Sequence, residues 1–215
     1  MYSKMKVRSI KEVKGNRWMS RVMPLFLCLL AFGFCACSES DDEENEFADW
    51  KARNDSYFNE VYTRAKGTSG EWKTFITWSK NEEMATAASD HIVVQVLEQG
   101  SGSGSPLYTD SVRIHYSGRL IPSTSYSNGY EFDKSWTGTF NPVVSKPYTS
   151  KVSDFVDGFS TALQHMHIGD HWRVYIPYPL GYGVSDNGII PAYSTLVFDL
   201  ILVAYNHPGA GVPNW

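Results

Sequence analysis

The pattern of apolar residues predicts an α+β fold: an antiparallel twisted β-sheet wrapped around one short α-helix, with a short N-terminal helical extension. Three observations carry that expectation. Four runs between residues 91 and 205 are β-branched or alternate apolar with polar side chains, the mark of strands. Asp157 to Met166 is the one strong helical pattern among them, with Phe159, Leu163 and Met166 on one face. Ahead of the strands, Phe47 to Lys66 repeats its apolar residues at threes and fours. Many strands and one short internal helix place the chain in the α+β class.

The elements follow in chain order. Met1 to Arg21 is basic, and Val22 to Ala36 (VMPLFLCLLAFGFCA) is an apolar run. At about fifteen residues it is short for a transmembrane helix and has the size of a signal-peptide core. It closes on Cys35, Ala36 and Cys37, which resembles the lipobox of bacterial lipoproteins, with Phe34 where that family usually has Leu. The resemblance implies that residues 1–36 are a lipoprotein signal peptide and that Cys37 carries the lipid, palmitate included. Several acyl chains then hold the membrane, because one chain binds only marginally. An ordinary cleaved signal peptide and a retained anchor are the alternatives. Residues 37–46 form an acidic tether, SESDDEENE after the cysteine, which stays solvated and extended. It reads as a linker or, by resemblance to some Gram-negative lipoproteins, as a surface-export signal. These features place the chain in the cell envelope, lipid-anchored to the outer membrane on its periplasmic face or at the cell surface.

Residues 47–86 read as a helical and aromatic extension. Phe47, Trp50, Tyr57, Phe58, Val61, Tyr62 and Ala65 share one helix face, Gly67 is the expected stop, and Trp72, Phe75, Ile76 and Trp78 form a second aromatic cluster. The extension is expected to pack on its own domain; self-association is the alternative. Residues 87–207 make the main domain. Its strands are expected over His91–Glu98, Ser111–Leu120, Trp172–Pro177 and Thr195–Tyr205, with a Gly/Ser loop at Gly100–Ser105. Residues 208–215 are a tail.

Composition narrows the function. From Cys37 onward the chain is acidic by roughly ten charges, which argues against a nucleic-acid partner, whose phosphates need a basic surface. The cysteines Cys28, Cys35 and Cys37 all lie in or at the end of the apolar run, so the folded part has none for zinc or redox chemistry. His165, His167 and His171 span a helix end, a turn and a strand start, and read as turn or surface residues rather than a metal set. Asp199 reads as a structural hydrogen-bonding residue. No cofactor is expected.

Five blocks in order resemble the FKBP-type peptidyl-prolyl cis-trans isomerases: IHYSG (Ile114–Gly118), EFDKS (Glu131–Ser135), FVDGFSTALQHMHIGD (Phe155–Asp170), YPLGYG (Tyr178–Gly183) and GIIPAYSTLVFDL (Gly188–Leu200). The resemblance implies an FKBP-like fold and rotation of X-Pro bonds in exported or envelope proteins. That reaction breaks amide resonance over a barrier of about 18–20 kcal/mol without making or cutting a bond. It calls for a dry pocket that fits a twisted amide better than a planar one. The resemblance assigns Asp133, Tyr182 and Phe198 to catalysis. Tyr116, Phe132, Phe155, Val156, Phe159 and Ile190 would bind substrate, with Phe159 as the floor in place of the family's usual Trp. The backbone N–H groups of Val156 and Ile190 would fix the peptide, and Tyr148 is the candidate for a further aromatic wall. Partners so implied are proline-containing clients, the membrane through Cys37, and macrolide inhibitors of the family. A non-catalytic FKBP-fold chaperone or peptide clamp is the alternative, and a glycan-binding surface protein is a weaker one.

Overall fold

The computed structural model describes residues 46–209. The signal segment, Cys37, all but the last residue of the tether and the last six residues of the tail lie outside the described residues. In chain order the elements are α1 (Trp50–Gly67), β1 (Trp72–Ile76), β2 (His91–Glu98), β3 (Ser111–Arg119), β4 (Glu131–Lys134), β5 (Tyr148–Lys151), α2 (Asp157–Leu163), β6 (His171–Ile176) and β7 (Leu196–Asn206). All seven strands form one antiparallel sheet in the order β1-β2-β6-β7-β3-β4. β5 pairs with β3 beyond β4, so two short strands divide one edge of β3 between them.

Alternation along the strands gives the sheet two different faces. On the inner face Ile92, Val94, Ile114, Trp172, Val174, Ile176, Leu196, Phe198 and Leu200 pack around α2, which buries Phe159, Ala162 and Leu163. On the outer face Val93, Tyr175 and Val197 stand in register across β2, β6 and β7. Phe58, Val61 and Ala65 of α1 cover the same cluster. The extension therefore packs on its own domain and shields the side of the sheet opposite α2.

The two helices differ from their sequence patterns in instructive ways. Gly67 is the last helical residue of α1 and Thr68 turns extended after it. Phe47 lies ahead of the helix and is 41% exposed. The buried face instead includes Asn54, which hydrophobic periodicity passes over. Its amide Nδ2 donates to the Trp50 carbonyl at 2.7 Å, and its Oδ1 accepts the Thr195 backbone N–H at 2.7 Å. One turn earlier, Trp50 Nε1 donates to Ser194 Oγ at 2.8 Å. These bonds tie α1 to the segment that enters β7, and each satisfies a buried polar group whose orphaning costs about 1–3 kcal/mol. α2 closes at Leu163, and Met166 is fully buried in the turn beyond it.

Three strands escape the sequence pattern. Trp72–Ile76, whose aromatics suggested a cluster within the extension, pairs with β2; Phe75 stacks on Trp172 on the inner face and Trp72 on Tyr175 on the outer. β4 and β5 are four residues each, too short for alternation to register. The segment between them folds over the outer face of β3, where Phe140 meets the buried His115 edge-on at 5.0 Å and Trp136 lies 4.6 Å from Phe140. Among the described residues no helix is long and apolar enough to cross a membrane.

Candidate functional site

The aromatic side chains of the inner face meet at Phe198 on β7. Phe159 of α2 stands edge-on to it at 4.9 Å, Phe132 of β4 at 5.6 Å and Tyr116 of β3 at 6.2 Å. Such edge-to-face contacts suit the ring quadrupole and hold each plane in place. Phe132 and Phe198 touch because Gly118 lies between them: a Cβ there would come within 2.5 Å of Phe198 and 2.6 Å of Phe132. This is the physical content of the glycine that ends IHYSG. Phe155 stacks on Phe159 at 4.5 Å, and Tyr148 stands edge-on to Tyr116 at 5.9 Å.

Together these rings leave a cavity of about 550 Å³. Tyr116, Phe132, Asp133, Phe155, Val156, Phe159, Tyr182, Ile190 and Phe198 all line it, so the structure gathers every predicted pocket residue around one space. Asp154, Asn187, Gly188 and Ile189 also line it. Asp154 had a detectable signal, since it closes the short turn just before Phe155. Tyr148 stands behind Tyr116 and Phe155, in contact with the ring set.

Polar groups sit at the rim. The Tyr116 hydroxyl donates to Asp133 Oδ2 at 2.7 Å, and the Lys134 backbone N–H donates to Oδ1 at 2.8 Å. Ser135 fixes this corner, its hydroxyl accepting the Tyr116 N–H and its own N–H donating to the Tyr116 carbonyl. Burial raises the Tyr116 pKa, and the bond to Asp133 and its charge raise it further. Burial and the Asp133 charge likewise raise that of Tyr182. Both phenols thus remain donors at neutral pH. The Tyr182 hydroxyl makes no hydrogen bond among the described residues, and the side chain is 41% exposed.

Backbone N–H groups divide. Val156 is the N-cap of α2, and the helix uses its carbonyl, which accepts from Phe159 and Ser160, but not its N–H. The Ile190 N–H, expected to hold peptide, donates instead to the Asn187 carbonyl at 3.0 Å, and the Asn187 N–H returns a bond to Ile190 at 2.9 Å. A closed bridge takes that donor because the loop from Gly183 to Ile190 turns back on itself, with Gly183 and Gly188 at positive φ (78° and 60°).

The three histidines do not converge on one point. His165 stacks on Phe75 at 4.1 Å, Nδ1 of His167 is 2.7 Å from the Gly104 carbonyl, and His171 lies on β6. Among the described residues no group of three or more His, Cys, Asp or Glu is placed to hold a metal. Asp199 is structural: Arg173 binds it through Nε at 2.7 Å and Nη2 at 3.0 Å on the outer face.

Comparison with known proteins agrees with this geometry. Residues 102–203 match the family model described as FKBP-type peptidyl-prolyl cis-trans isomerase. The chain is 30% identical over 186 residues to the macrophage infectivity potentiator of Trypanosoma cruzi, covering 86% of this chain and 84% of that one. It is 28% identical over 174 residues to the FKBP-type isomerase FkpA of Aeromonas hydrophila, covering 81% of this chain and 57% of the relative. With the outer membrane protein MIP of Legionella longbeachae it shares 26% over 157 residues, 73% of this chain and 60% of the other. The chain thus spans less than two thirds of these last two relatives. Among solved structures, FkpA from Escherichia coli is similar at a TM-score of 0.53 and 26% identity, covering 74% of this chain and 62% of that one.

Proposed function

The chain belongs to the FKBP-type peptidyl-prolyl cis-trans isomerase family, and on that premise we propose that the cavity around Phe198 is where it rotates X-Pro bonds. The observation that carries this reading is the convergence of Tyr116, Phe132, Phe159 and Phe198 on a single apolar space with the Asp133 carboxylate at its edge. A proline ring fits such a space. Twisting the amide reduces its charge separation, so an apolar enclosure favours the twisted form over the planar one. Phe159 forms the floor, Val156 and Ile190 the flanks.

In this reading the rim does the polar work. Asp133, held by the Tyr116 hydroxyl and the Lys134 N–H, lies against the carbonyl of the turning bond as a fixed polar partner. The hydroxyl of Tyr182 donates to a flanking substrate carbonyl, and the Val156 N–H fixes a second. The bridged N–H of Ile190 takes no part, so Ile190 contributes its side chain alone. No nucleophile, metal or organic cofactor enters a reaction that breaks no covalent bond.

The test is a proline-limited peptide assay on the full chain in detergent. Asp133→Ala is expected to lower kcat/KM about tenfold, a change of about 1.4 kcal/mol in transition-state stabilisation. An unaltered melting temperature should accompany it, because Asp133 is exposed. A chain that never accelerates isomerisation would instead be a peptide clamp.

The clients are exported or envelope proteins, and the chain works at the membrane through a lipid on Cys37. The lipobox-like sequence ending at Cys37 supports this, and so does the kinship with a Legionella protein named for the outer membrane. Cys37→Ala is expected to shift the chain from the membrane to the soluble fraction and to abolish labelling by palmitate. Macrolides of the kind that the family binds are expected to compete for the same pocket.

A further inference from the structure

A second and larger cavity, of about 930 Å³, opens beside the aromatic pocket and shares a wall with it, since Gly188 and Ile189 line both. It is an open depression lined by three distant stretches: Glu46 and Phe47 ahead of α1, Tyr126 and Tyr130 before β4, and Asp186 with Pro191 on the loop that carries Ile190.

Specific bonds hold these stretches together. The Glu46 carboxylate accepts from the Ser125 hydroxyl at 2.6 Å and the Ser125 N–H at 3.3 Å, which pins the start of the extension onto the turn ahead of β4. Arg53 Nη1 donates to the Glu46 carbonyl at 2.9 Å, and Phe47 stands edge-on to Trp50 at 5.0 Å. Tyr126 and Tyr130 pack edge-to-face at 5.0 Å. Asp186 Oδ1 accepts the Ala192 N–H at 2.8 Å and steadies the opposite wall.

The lining chemistry is of two kinds. Ile189, Pro191, Phe47 and the two tyrosines are apolar or aromatic, while Glu46 and Asp186 are acidic, and among the described residues no basic side chain lines the space. The serine hydrogen bonds keep the Glu46 carboxyl below its usual range, so it is ionised at neutral pH. Arg53, whose charge also acts weakly on the Glu46 carboxyl, spends its hydrogen bonds on main-chain carbonyls and lies 5.1 Å from the Trp50 ring. A long side chain with an alkyl stem and a cationic tip matches such a surface: the stem lies on the rings, and the tip meets carboxylates and aromatic faces.

We propose that this cavity is an extended substrate subsite that takes a Lys or Arg close to the proline of the client chain. Continuity through Gly188 and Ile189 lets one extended segment occupy both spaces. The proposal rests on the isomerase reading of the adjoining pocket.

The experiment compares the full chain in detergent with two variants, Tyr126→Ala and the charge-neutral Glu46→Gln/Asp186→Asn pair. Substrates are a minimal blocked X-Pro peptide and longer peptides with Arg, Ala or Glu at successive positions on either side of the proline. At one position Arg is expected to exceed Glu in kcat/KM by about fivefold, within the range of an exposed ion pair. That preference should shrink at high salt and vanish in the charge-neutral pair. Tyr126→Ala should lower turnover of the Arg peptide and leave the minimal peptide unaffected. Equal turnover of Arg and Glu peptides at every position, or a preference that survives the charge-neutral pair, would overturn the subsite while leaving the isomerase standing. Absence of turnover on the minimal peptide would instead remove the reading beneath it.

Discussion

The two faces of the sheet are both covered by a helix, yet they solve opposite problems. On the inner face α2 and the strands bring ring against ring and leave a space unfilled. On the outer face α1 fills its contact with Phe58, Val61 and Ala65 and locks it with the buried amide of Asn54. Tyr57 and Tyr175 lie beside the Arg173–Asp199 pair there, and burial pushes the Tyr57 phenol up to about 12. The lesson is that a stable pocket needs a closed opposite side. Apolar area left open to bind substrate forgoes burial energy, and the outer helix adds burial of its own.

Breaking the inner face should have the largest effect. Phe198 is 5% exposed and touches three of the other pocket rings, Tyr116, Phe132 and Phe159. Phe198→Ala is expected to cost about 3–5 kcal/mol in chemical denaturation, the usual range for losing a buried phenylalanine, and to abolish measurable isomerase activity. Retained activity would mean that the cavity is not the catalytic pocket.

The outer lock comes next. Asn54→Ala leaves the Thr195 N–H, itself on a residue 1% exposed, without its acceptor. The expected loss is about 1–3 kcal/mol, with kcat/KM on a minimal peptide within about twofold of the unmodified chain below the melting transition. A larger kinetic loss would show that α1 positions the segment between Ile190 and Phe198, and the two faces would then be coupled.

The smallest effect concerns pH. His115 sits on the outer side of β3 beneath Phe140, 3% exposed, and its Nδ1 has no hydrogen-bond partner. Burial, and to a lesser degree the Arg113 charge, lowers its pKa in the folded chain. The unfolded chain therefore binds the proton more readily, and stability rises with pH through this group. That contribution is complete above the ordinary histidine pKa and is lost as pH falls below it toward the lower folded value. His115→Phe is expected to flatten the decline in melting temperature between about pH 7 and pH 5; an unchanged slope would assign it to other groups.

The ring set was legible in sequence because each member sits in one of the ordered blocks that resemble the family; taken singly, each ring reads as ordinary core. IHYSG carries Tyr116 beside the glycine that admits Phe132 and Phe198, and FVDGF places Phe155 and Phe159 four residues apart around the start of α2. The strands β4 and β5 were not legible, because four residues show too little alternation to separate them from loop. Asn54 was missed because helical periodicity counts apolar residues, and a buried amide is invisible to it until its partner Thr195 is known.

By itself, then, the sequence determined most of the strand-rich core and the inner helix through local periodicity, while the pocket residues were named only through the resemblance of five ordered blocks to a known family. Only the tertiary structure decided that α1 covers the outer face through Asn54, that the Ile190 N–H is already bonded, and that Glu46 and Phe47 line a second cavity with residues from two later stretches. Each of those depends on groups far apart in the chain, the Glu46–Ser125 bond spanning 79 residues and the Asn54–Thr195 bond 141. Pairings at that distance are selected by the packing of the whole sheet, which no local pattern encodes.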